Sequence, residues 1–497
     1  MGLFGIIRPL KDGSGYSICR ASDENVGRRR CKHCLEDVFA SVTDKKQLAD
    51  AKDVSKVLTD NGYEAFFVGG FVRDTLMKKP AKDIDITTNA TPDKVQELFK
   101  SHVDTGLQHG TVSVRNNRDS EFFEVTTYRV DGKYEDGRHP ESVAFVKNLK
   151  EDLARRDFTI NAIAINPITN EVVDPFGGRE DIQNGVIRCV GDAKKRFMED
   201  PLRVLRAVRF SIKYGFSIED STKKAMHDEE VLSKLDECIS KERITDELRK
   251  TLVSNHSIRE TFTEFPDILG VILPEMKDCV NAPHNNPWHP HDIFEHILYV
   301  VDGCDTDKFE IKMAALLHDI GKPACRLKKE TKDVFYGHPE KSVELARSVF
   351  ANDLKVTTKE KERILGLVEK HDNPILPQKK HIRRFIANTS EDFVRDWMVL
   401  KEADLMDHKP PKGSEDEWKE TLEKWSLFKT NFEEVIKEQN ALKLTDLKVN
   451  GRDIMNELHI KPGPQIGVIL NTLFSEVLDE NIQNDKEALL NLAKTLL

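Results

Sequence analysis

The spacing of hydrophobic residues changes along the chain, from short strand-like runs in the first third to a helical period afterwards. Val54, Val57 and Leu58 predict an early helix. Short apolar runs bounded by turn residues predict four strands, at residues 65–68, 84–86, 111–114 and 122–126. From about residue 181 onward a helical period dominates. The pattern predicts an α+β protein, in which a small α/β head with a mixed sheet is followed by mostly helical domains.

At 497 residues the chain is too long for one hydrophobic core, so several domains are expected. Two breaks interrupt the helical pattern, a segment rich in proline, histidine and asparagine at 281–291 and a lysine- and proline-rich segment at 409–414. The predicted division is an N-terminal extension at 1–45, the head at 46–180, a helical neck at 181–280, a histidine-bearing helical domain at 281–410 and a helical tail at 411–497.

Composition argues against a membrane protein and for a soluble one. Charged residues make up 33% of the chain, and no apolar run approaches the roughly 20 residues of a membrane helix. Eight cysteines over this length fit reduced thiols, so we expect a cytoplasmic location. The net charge of −10 argues against a uniform electrostatic hold on nucleic acid. Basic clusters at 188–213 and 379–384 leave local binding open, with a solvated helix face as the alternative for each.

Two carboxylates at alternate positions, Asp83 and Asp85, follow the glycine pair Gly69 and Gly70. Alternate residues of a strand face the same side, so both carboxylates can point into one cavity. Oxygen ligands suit Mg²⁺, and two-metal nucleotidyl transfer needs a further carboxylate, for which Glu124 on a neighbouring predicted strand is the candidate. Glycines allow backbone N–H groups to approach phosphate closely. Together these residues favour nucleotidyl transfer over the alternative, a surface acidic pair.

Nine short strings then occur in the order and approximate spacing of one known family, at residues 68–74, 83–85, 109–112, 124–129, 136–140, 155–162, 174–178, 199–203 and 242–244. In these strings the chain resembles the class II tRNA nucleotidyltransferase/poly(A) polymerase family, and specifically the bacterial-type CCA-adding enzymes with an HD domain. Each string alone is weak, whereas nine in the family's order are highly specific. The extension at 1–45 departs from the family pattern, which usually begins near residue 46.

The resemblance implies a CCA tRNA nucleotidyltransferase, which adds C and A from CTP and ATP to the 3′ end of tRNA without a nucleic-acid template. Asp83, Asp85 and Glu124 would be catalytic, with Mg²⁺ on the two aspartates. The segment 129–145 looks full length, which favours finishing the terminus with A. The alternatives are a poly(A) polymerase or A-adding enzyme of the same fold, a metal-dependent phosphohydrolase whose head only binds RNA, and a non-catalytic RNA-binding protein.

The resemblance also implies a set of nucleotide-binding residues, namely Gly69, Gly70, Arg73, Asp74, Arg155, Arg156, Asp157, Asn161, Asp200, Arg203 and Arg206. Arg155, Asp157 and Asn161 belong to the string that contacts the ribose, where they would supply donors and acceptors for hydroxyl groups. Asp200, a predicted helix cap, and Arg203 belong to the string that reads the base. A carboxylate and a guanidinium together can accept C and A and refuse G and U. The alternative for this pair is an ordinary helical ion pair.

A second group of metal-type residues lies downstream, and consists of His296, His318, Asp319, His338, His371 and Asp404. Imidazole with carboxylate suits Mn, Fe, Ni, Co or Zn better than magnesium. The string at 316–323 resembles the HD phosphohydrolase superfamily. This resemblance implies one metal site on His296, His318, Asp319 and a distal aspartate, with His338 and His371 able to add a second.

The sequence leaves open whether the HD domain is active or is a degenerate helical scaffold. Hydrolysis of 2′,3′-cyclic phosphates or phosphomonoesters would repair an RNA end before extension. The neighbouring pair His291–Asp292 is interpreted as a helix cap rather than as the metal-binding pair.

The two ends of the chain carry weaker signals. Cys19, Cys31, His33 and Cys34 could bind zinc, but they contain only one short cysteine pair, and loose thiols are the alternative. The tail at 411–497 resembles the helical tRNA-binding body of the family, with a dimerisation or packing module as the alternative. The sequence does not determine the oligomeric state.

Overall fold

A computed structural model of the chain describes residues 5–9, 16–20, 39, 42, 44–81, 83–107, 110–131, 143–254, 256–438 and 443–496. The predicted zinc ligands Cys19, Cys31, His33 and Cys34 lie outside the described side chains, as do His109 and the segment 132–142, which contains the string at 136–140. Two compact units are present, one ending at Ile182 and the other continuing from Gln183. The finer division into neck, HD domain and tail stays a prediction.

The first unit contains strands joined by short helices, as the alternating apolar pattern predicted. Its strands are β1 (Gly5–Pro9), β2 (Tyr16–Arg20), β3 (Ala65–Val68), β4 (Asp85–Thr88), β5 (Ser101–Gly106), β6 (Thr111–Arg115), β7 (Phe123–Thr127), β8 (Arg129–Asp131), β9 (Val143–Phe145), β10 (Ala164–Ile165) and β11 (Val172–Val173). Its helices are α1 (Lys45–Asp60), α2 (Gly69–Leu76), α3 (Pro92–Leu98), α4 (Leu149–Ala154) and α5 (Gly178–Asn184), with a 3₁₀ turn at Thr159–Asn161.

One mixed sheet organises this unit, with strand order β11-β10-β3-β4-β7-β6-β5. The pair β4–β7 is parallel and the other neighbours are antiparallel, which confirms the predicted mixed sheet. One face buries Phe67, Ile86, Val112 and Val125 in a core closed by α1 and α3. Because neighbouring residues of a strand alternate between faces, the intervening polar residues share the opposite face.

The second unit is almost wholly helical, which confirms the helical period from about residue 181. Its helices are α6 (Ala193–Glu199), α7 (Leu202–Tyr214), α8 (Asp220–Met226), α9 (Glu229–Cys238), α10 (Lys241–Leu252), α11 (Arg259–Glu264), α12 (Pro266–Ile272), α13 (Ile293–Gly303), α14 (Phe309–Leu317), α15 (His338–Asn352), α16 (Thr358–Lys370), α17 (Lys379–Asn388), α18 (Glu391–Asp407), α19 (Glu415–Lys437), α20 (Gly451–Leu458), α21 (Pro464–Leu478) and α22 (Lys486–Lys494).

Short strands complete the second unit, as β12 (Val186–Ile187) with β13 (Ser217–Ile218) and β14 (Leu327–Lys328) with β15 (Asp333–Val334). Single 3₁₀ turns occur at Pro274–Cys279, Pro323–Cys325 and Leu444–Asp446. Helices α20 to α22 enclose a small core that includes Ile454, Leu473 and Leu489. Within the described residues, none of the helices is both long enough and apolar enough to cross a bilayer.

The basic cluster at 379–384 connects helices that are distant in sequence. Lys379 Nζ lies 2.6 Å from Glu438 Oε1 at the end of α19. The Arg383 side chain is buried on α17 and donates from Nε to the Leu478 carbonyl at the end of α21 (2.9 Å). The interpretation of this cluster as a solvated helix face is therefore wrong for Arg383, which is buried against α21, whereas the ion pair of Lys379 lies at the surface.

Candidate functional site

The carboxylates of the head lie on and beside the central strand pair. Strand β4 begins at Asp85, whereas Asp83 precedes it with a left-handed backbone (φ +52°). The argument that both aspartates alternate along one strand is therefore wrong for Asp83. Ile86 pairs with Val125 in the parallel β4–β7 register, so Asp85 and Glu124 occupy neighbouring positions on the same face of the sheet.

The three head carboxylates interact electrostatically. Burial raises the pKa of Asp85 to about 6; the Arg156 guanidinium opposes this rise, and the nearby carboxylates of Glu124 and Asp83 add to it. Within the residues that the structure describes, the oxygens of Asp83, Asp85 and Glu124 do not all gather within 4.8 Å of one another. Repulsion between the half-buried Asp85 and the two exposed carboxylates favours a bound cation, and an all-oxygen donor set suits a hard divalent ion.

Gly69 forms a cradle directly above Asp85. It begins α2 with φ +71°, a conformation that glycine adopts without the strain of a side chain. A Cβ at this position would lie 3.3 Å from Asp85 Oδ2 and 3.4 Å from Arg156 Nη1. The absence of a side chain therefore keeps the space beside the buried carboxylate open, and Gly70 continues the bare backbone into the first turn of α2.

A buried network links the glycine helix to the predicted ribose-binding string. Arg73 donates from Nε to Asp74 Oδ1 (2.8 Å) and from Nη1 to Asn161 Oδ1 (2.6 Å). Asn161 in turn donates from Nδ2 to Asp157 Oδ1 (2.9 Å). The structure thus brings together four of the predicted nucleotide-binding residues in one continuous set of hydrogen bonds, which fixes the orientation of the Asn161 amide.

Arg155 and Arg156 gather on a different carboxylate, Asp152, which sequence reasoning missed. Arg155 Nη2 lies 2.9 Å and Arg156 Nη2 3.6 Å from its two oxygens, and Thr87 of β4 donates to Asp152 Oδ2 (3.3 Å). Burial by itself would raise the pKa of Asp152, but the two guanidinium groups hold it below its usual value. The spacing of three and four residues from Asp152 was the available signal, because such residues share one helical face.

The predicted base-reading residues each have a separate anchor. Pro201 is the N-cap of α7 and Asp200 ends α6, so the predicted cap at Asp200 is wrong by one residue. Asp200 Oδ1 accepts the backbone N–H of Leu202 (3.2 Å), and its other oxygen lies 2.8 Å from Arg243 Nη2 on α10. The Arg203 side chain is largely buried, and its Nη1 lies 3.1 Å from Glu199 Oε2. The two ion pairs thus run to Arg243 and Glu199, so the alternative of a simple Asp200–Arg203 pair does not describe this helix.

Arg206, the remaining predicted nucleotide-binding residue, lies one turn further along α7. Its Nη1 is 3.7 Å from Glu247 Oε1, and its guanidinium stands over the ring of Phe210 (5.3 Å). The carboxylate of Glu247 also pairs with Arg209 at 2.5 Å. Arg206 therefore lies farther from this carboxylate than Arg209 does.

Four histidines of the second unit converge on one aspartate, Asp319. The Nε2 atoms of His296 and His318 lie 3.1 and 3.2 Å from Asp319 Oδ2. The Nε2 atoms of His338 and His371 lie 3.3 and 3.5 Å from Asp319 Oδ1. The five side chains form two groups of three that share Asp319, each with its ligand atoms within 4.8 Å of one another.

The other ring nitrogen of each histidine is held by a hydrogen-bond acceptor. The Nδ1 atoms of His318, His338 and His371 donate to backbone carbonyls three residues earlier, at 2.7, 2.9 and 2.6 Å. His296 Nδ1 donates to Asp407 Oδ2 (2.7 Å). Because Nδ1 carries a proton in each case, Nε2 is the nitrogen that can present a lone pair to a metal ion. At His296 the ion must displace the Nε2 proton that the neighbouring carboxylates stabilise.

The carboxylates around His296 complete the histidine centre. Asp404 Oδ1 lies 3.4 Å from His296 Nε2, so the structure brings together all six residues predicted for this site. Asp407, one turn further along α18, was missed by the sequence analysis. Burial would lower the pKa of His296, but hydrogen bonds to Asp319, Asp404 and Asp407 raise it to about 10. The same concentration of negative charge favours a metal cation.

A cavity of about 730 Å³ opens beside the histidine centre, and Asp319, His338, His371 and Asp404 contribute to its lining. The neighbouring Asp292 accepts the Glu295 N–H (2.8 Å) and begins α13, which confirms its prediction as a cap. The cavity therefore gives a substrate access to the converging imidazoles from one side.

Comparison with known proteins identifies relatives along most of the chain. Family models match as the poly A polymerase head domain at 65–188, the HD domain at 289–407 and tRNA nucleotidyltransferase domain 2 at 417–493. The CCA-adding enzyme of Leuconostoc mesenteroides is 33% identical over 449 residues, covering 90% of this chain and 96% of that relative. The CCA-adding enzyme of Pediococcus pentosaceus is 31% identical over 451 residues, covering 91% and 98%.

Among solved structures, the Bacillus stearothermophilus CCA-adding enzyme in complex with CTP is similar to this chain. Its TM-score is 0.65 at 26% sequence identity, and the match covers 91% of this chain and 98% of that structure.

Proposed function

Because the chain belongs to the family of CCA-adding enzymes, we propose that Asp83, Asp85 and Glu124 form its catalytic centre for nucleotidyl transfer. The activity is the addition of C and A from CTP and ATP to the 3′ end of tRNA without a nucleic-acid template. One observation carries the assignment of the centre. The half-buried Asp85 carboxylate lies beside the bare backbone of Gly69 and interacts electrostatically with the other two carboxylates.

Enzymes of this family use divalent metal ions, and we propose Mg²⁺ on Asp83 and Asp85. The donor set is all oxygen, and the Gly69 cradle leaves room beside Asp85 that a side chain would fill. A bound magnesium supplies charge neutralisation on the triphosphate and lowers the pKa of the attacking hydroxyl. The reaction forms a bond from the RNA 3′ oxygen to the α-phosphorus and breaks the bond from that phosphorus to the departing pyrophosphate.

We propose that the remaining head residues position the nucleotide. Asp157 and Asn161 are fixed by their mutual hydrogen bond of 2.9 Å, which prepares one acceptor and donor pair for ribose hydroxyls. Arg156 lies beside Asp85 and Asp152 and so holds the catalytic strand face in place, while Arg155 is bound to Asp152. Gly69 and Gly70 offer backbone N–H groups at the start of α2, where the helix dipole favours phosphate.

Asp200 and Arg203 are the proposed readers of the base. Arg243 and Glu199 anchor them, so each presents its remaining polar edge in a fixed direction. A carboxylate accepts from the exocyclic amine of cytosine or adenine, and a guanidinium donates to the adjacent ring acceptor. Guanine and uracil present the opposite polarity at these atoms, which would leave buried groups unpaired.

Two relatives that match nearly end to end are both named CCA-adding enzymes, which favours full CCA addition over poly(A) or A-only addition. The family matches also support the proposed domain division into head, HD domain and tail. A tRNA substrate agrees with the cytoplasmic location expected from composition, which stays a prediction.

We propose a second activity, metal-dependent phosphohydrolysis, for the HD domain. The observation that favours it is the convergence of four imidazole Nε2 atoms on Asp319, which a purely structural scaffold does not require. The donor set fits Mn, Ni, Co, Fe or Zn. Such an ion would supply an activated water at neutral pH. Phosphomonoesters and 2′,3′-cyclic phosphates at RNA ends are the proposed substrates.

The decisive experiment gives the purified protein tRNA ending before the first C, after one C or after CC, with labelled CTP or ATP supplied separately. We expect C on the first two substrates and A on the third. Incorporation of A alone, with no C on any substrate, would contradict CCA addition. Asp83→Asn should abolish addition, and His318→Ala should spare addition while removing any phosphatase activity; addition by Asp83→Asn at the wild-type rate would refute the proposed centre.

A further inference from the structure

Two tryptophans form an aromatic wall in the cavity beside the histidine centre. Trp288 comes from the segment before α13, and Trp418 comes from the first turn of α19. Their ring centroids are 6.2 Å apart with the planes inclined by 50°. Both side chains are only partly buried, whereas Trp397 and Trp425 are 1% and 2% exposed. The pair at 288 and 418 therefore exposes aromatic surface inside a cavity, and this surface is available to a ligand.

The backbone at Trp288 is fixed from both sides. Its N–H donates to Asn286 Oδ1 (3.2 Å), and its carbonyl accepts the Lys409 N–H (2.9 Å). A ring on an anchored backbone loses little conformational entropy when it contacts a ligand, which is a property of a prepared binding surface.

The aromatic wall lies within reach of the proposed metal centre. The ring of His408 is 6.4 Å from that of Trp418 and 6.4 Å from that of His296, so Trp418 lies within about 13 Å of His296. A ligand with a phosphate at one end and a planar base at the other can bridge a separation below this upper limit. Lys332 and Lys424 also line the cavity and supply positive charge to it.

We propose that Trp288 and Trp418 form a nucleobase-stacking subsite of the HD pocket. The ligand class is a phosphorylated nucleoside, either free or at the end of an RNA strand, with the base against the tryptophans and the phosphate toward the histidines. The proposal rests on the phosphohydrolase function proposed above. It also makes the tail part of the hydrolytic site, because Trp418 belongs to α19 and not to the segment matched by the HD model.

Intrinsic fluorescence tests the subsite without any turnover. All four tryptophans lie in the second unit and two of them are buried, so quenching by a ligand reports on Trp288 and Trp418. Full-length protein treated with EDTA is titrated with adenosine 3′-monophosphate and, as a ligand without a base, with ribose 5-phosphate. We expect the nucleotide to quench and the sugar phosphate to leave the emission unchanged.

Substitutions then assign the effect. Trp288→Ala and Trp418→Ala should each weaken nucleotide affinity on the order of 5- to 100-fold, the usual loss for one stacked base. Trp418→Phe should retain stacking, and Leu427→Ala, an exposed position of the same helix (50% exposed), is the matched control. Equal quenching by ribose 5-phosphate, or unchanged affinity in both alanine variants, would overturn the subsite.

Hydrolysis measured with the Mn²⁺-loaded protein tests the stacking subsite separately from the proposed phosphohydrolase activity. If the subsite is correct, the alanine variants raise the KM for adenosine 3′-monophosphate and leave kcat and the KM for ribose 5-phosphate unchanged. If the wild type hydrolyses neither compound but the nucleotide still quenches through Trp418, the phosphohydrolase fails and the subsite stands. A short RNA ending in a 3′-phosphate that binds more tightly than the mononucleotide identifies an RNA end as the ligand; equal affinity identifies the free nucleotide.

Discussion

Replacing Gly69 with alanine should damage nucleotide addition far more than stability. Gly69 has φ +71°, where a residue with a Cβ costs about 1–2 kcal/mol. The new Cβ would also lie 3.3 Å from Asp85 Oδ2 and 3.4 Å from Arg156 Nη1, so both side chains must shift by a few tenths of an ångström. Since a displacement of about 1 Å at a reacting centre can cost 10²-fold in rate, we expect roughly a tenfold loss in kcat.

Gly62 provides a matched control in the same unit. It has φ +85°, and a Cβ there would meet nothing within 4 Å. Gly62→Ala therefore introduces backbone strain of the same kind without a contact near the carboxylates. Both variants should unfold a few degrees earlier, at about 2–4 °C per kcal/mol for a unit of this size.

The assay is single-turnover addition of labelled CMP to tRNA lacking its CCA end, with thermal unfolding measured on the same samples. The expected result is an equal loss of stability in the two variants and a loss of rate only in Gly69→Ala. Equal rates in both variants would refute the reasoning, because Gly69 would then act through backbone conformation alone.

Three further predictions concern the partners of the site residues. Without divalent ions, Asp85→Asn should raise the free energy of unfolding at pH 8 by up to about 2–3 kcal/mol. The raised pKa of about 6 makes the wild type lose stability as the pH rises toward and through that value, so the gain should vanish near pH 4. A gain that does not depend on pH would contradict this prediction. Arg243→Ala should increase misincorporation of G and U about tenfold, because the Asp200 carboxylate loses a charged hydrogen bond; unchanged fidelity in single-nucleotide assays would contradict it. Asp407→Asn should lower the affinity for Mn²⁺, measured by calorimetry, about 10- to 100-fold, because the His296 ring loses the carboxylate that orients it, while CMP addition stays normal. An unchanged affinity would show that Asp407 does not orient that ring.

Several secondary-structure elements and turns of this protein could be predicted from short stretches of sequence. The strand at Ala65–Val68, the glycine pair after it and the cap at Asp292 follow from the period, conformational freedom and hydrogen-bonding capacity of adjacent residues. These features depend on a few neighbouring positions, so they can be predicted without knowing which distant segments meet. The histidine set spans residues 296–404, and its assignment to one metal site followed from its residue types together with the resemblance to the HD superfamily.

The tertiary structure decided which groups became partners. Asp152 forms ion pairs with Arg155 and Arg156, and Asp200 forms one with Arg243. Arg383 of α17 donates a hydrogen bond to the end of α21. The energy of an ion pair or a buried hydrogen bond depends on distance and burial, and both are set by packing between segments that the order of residues leaves far apart.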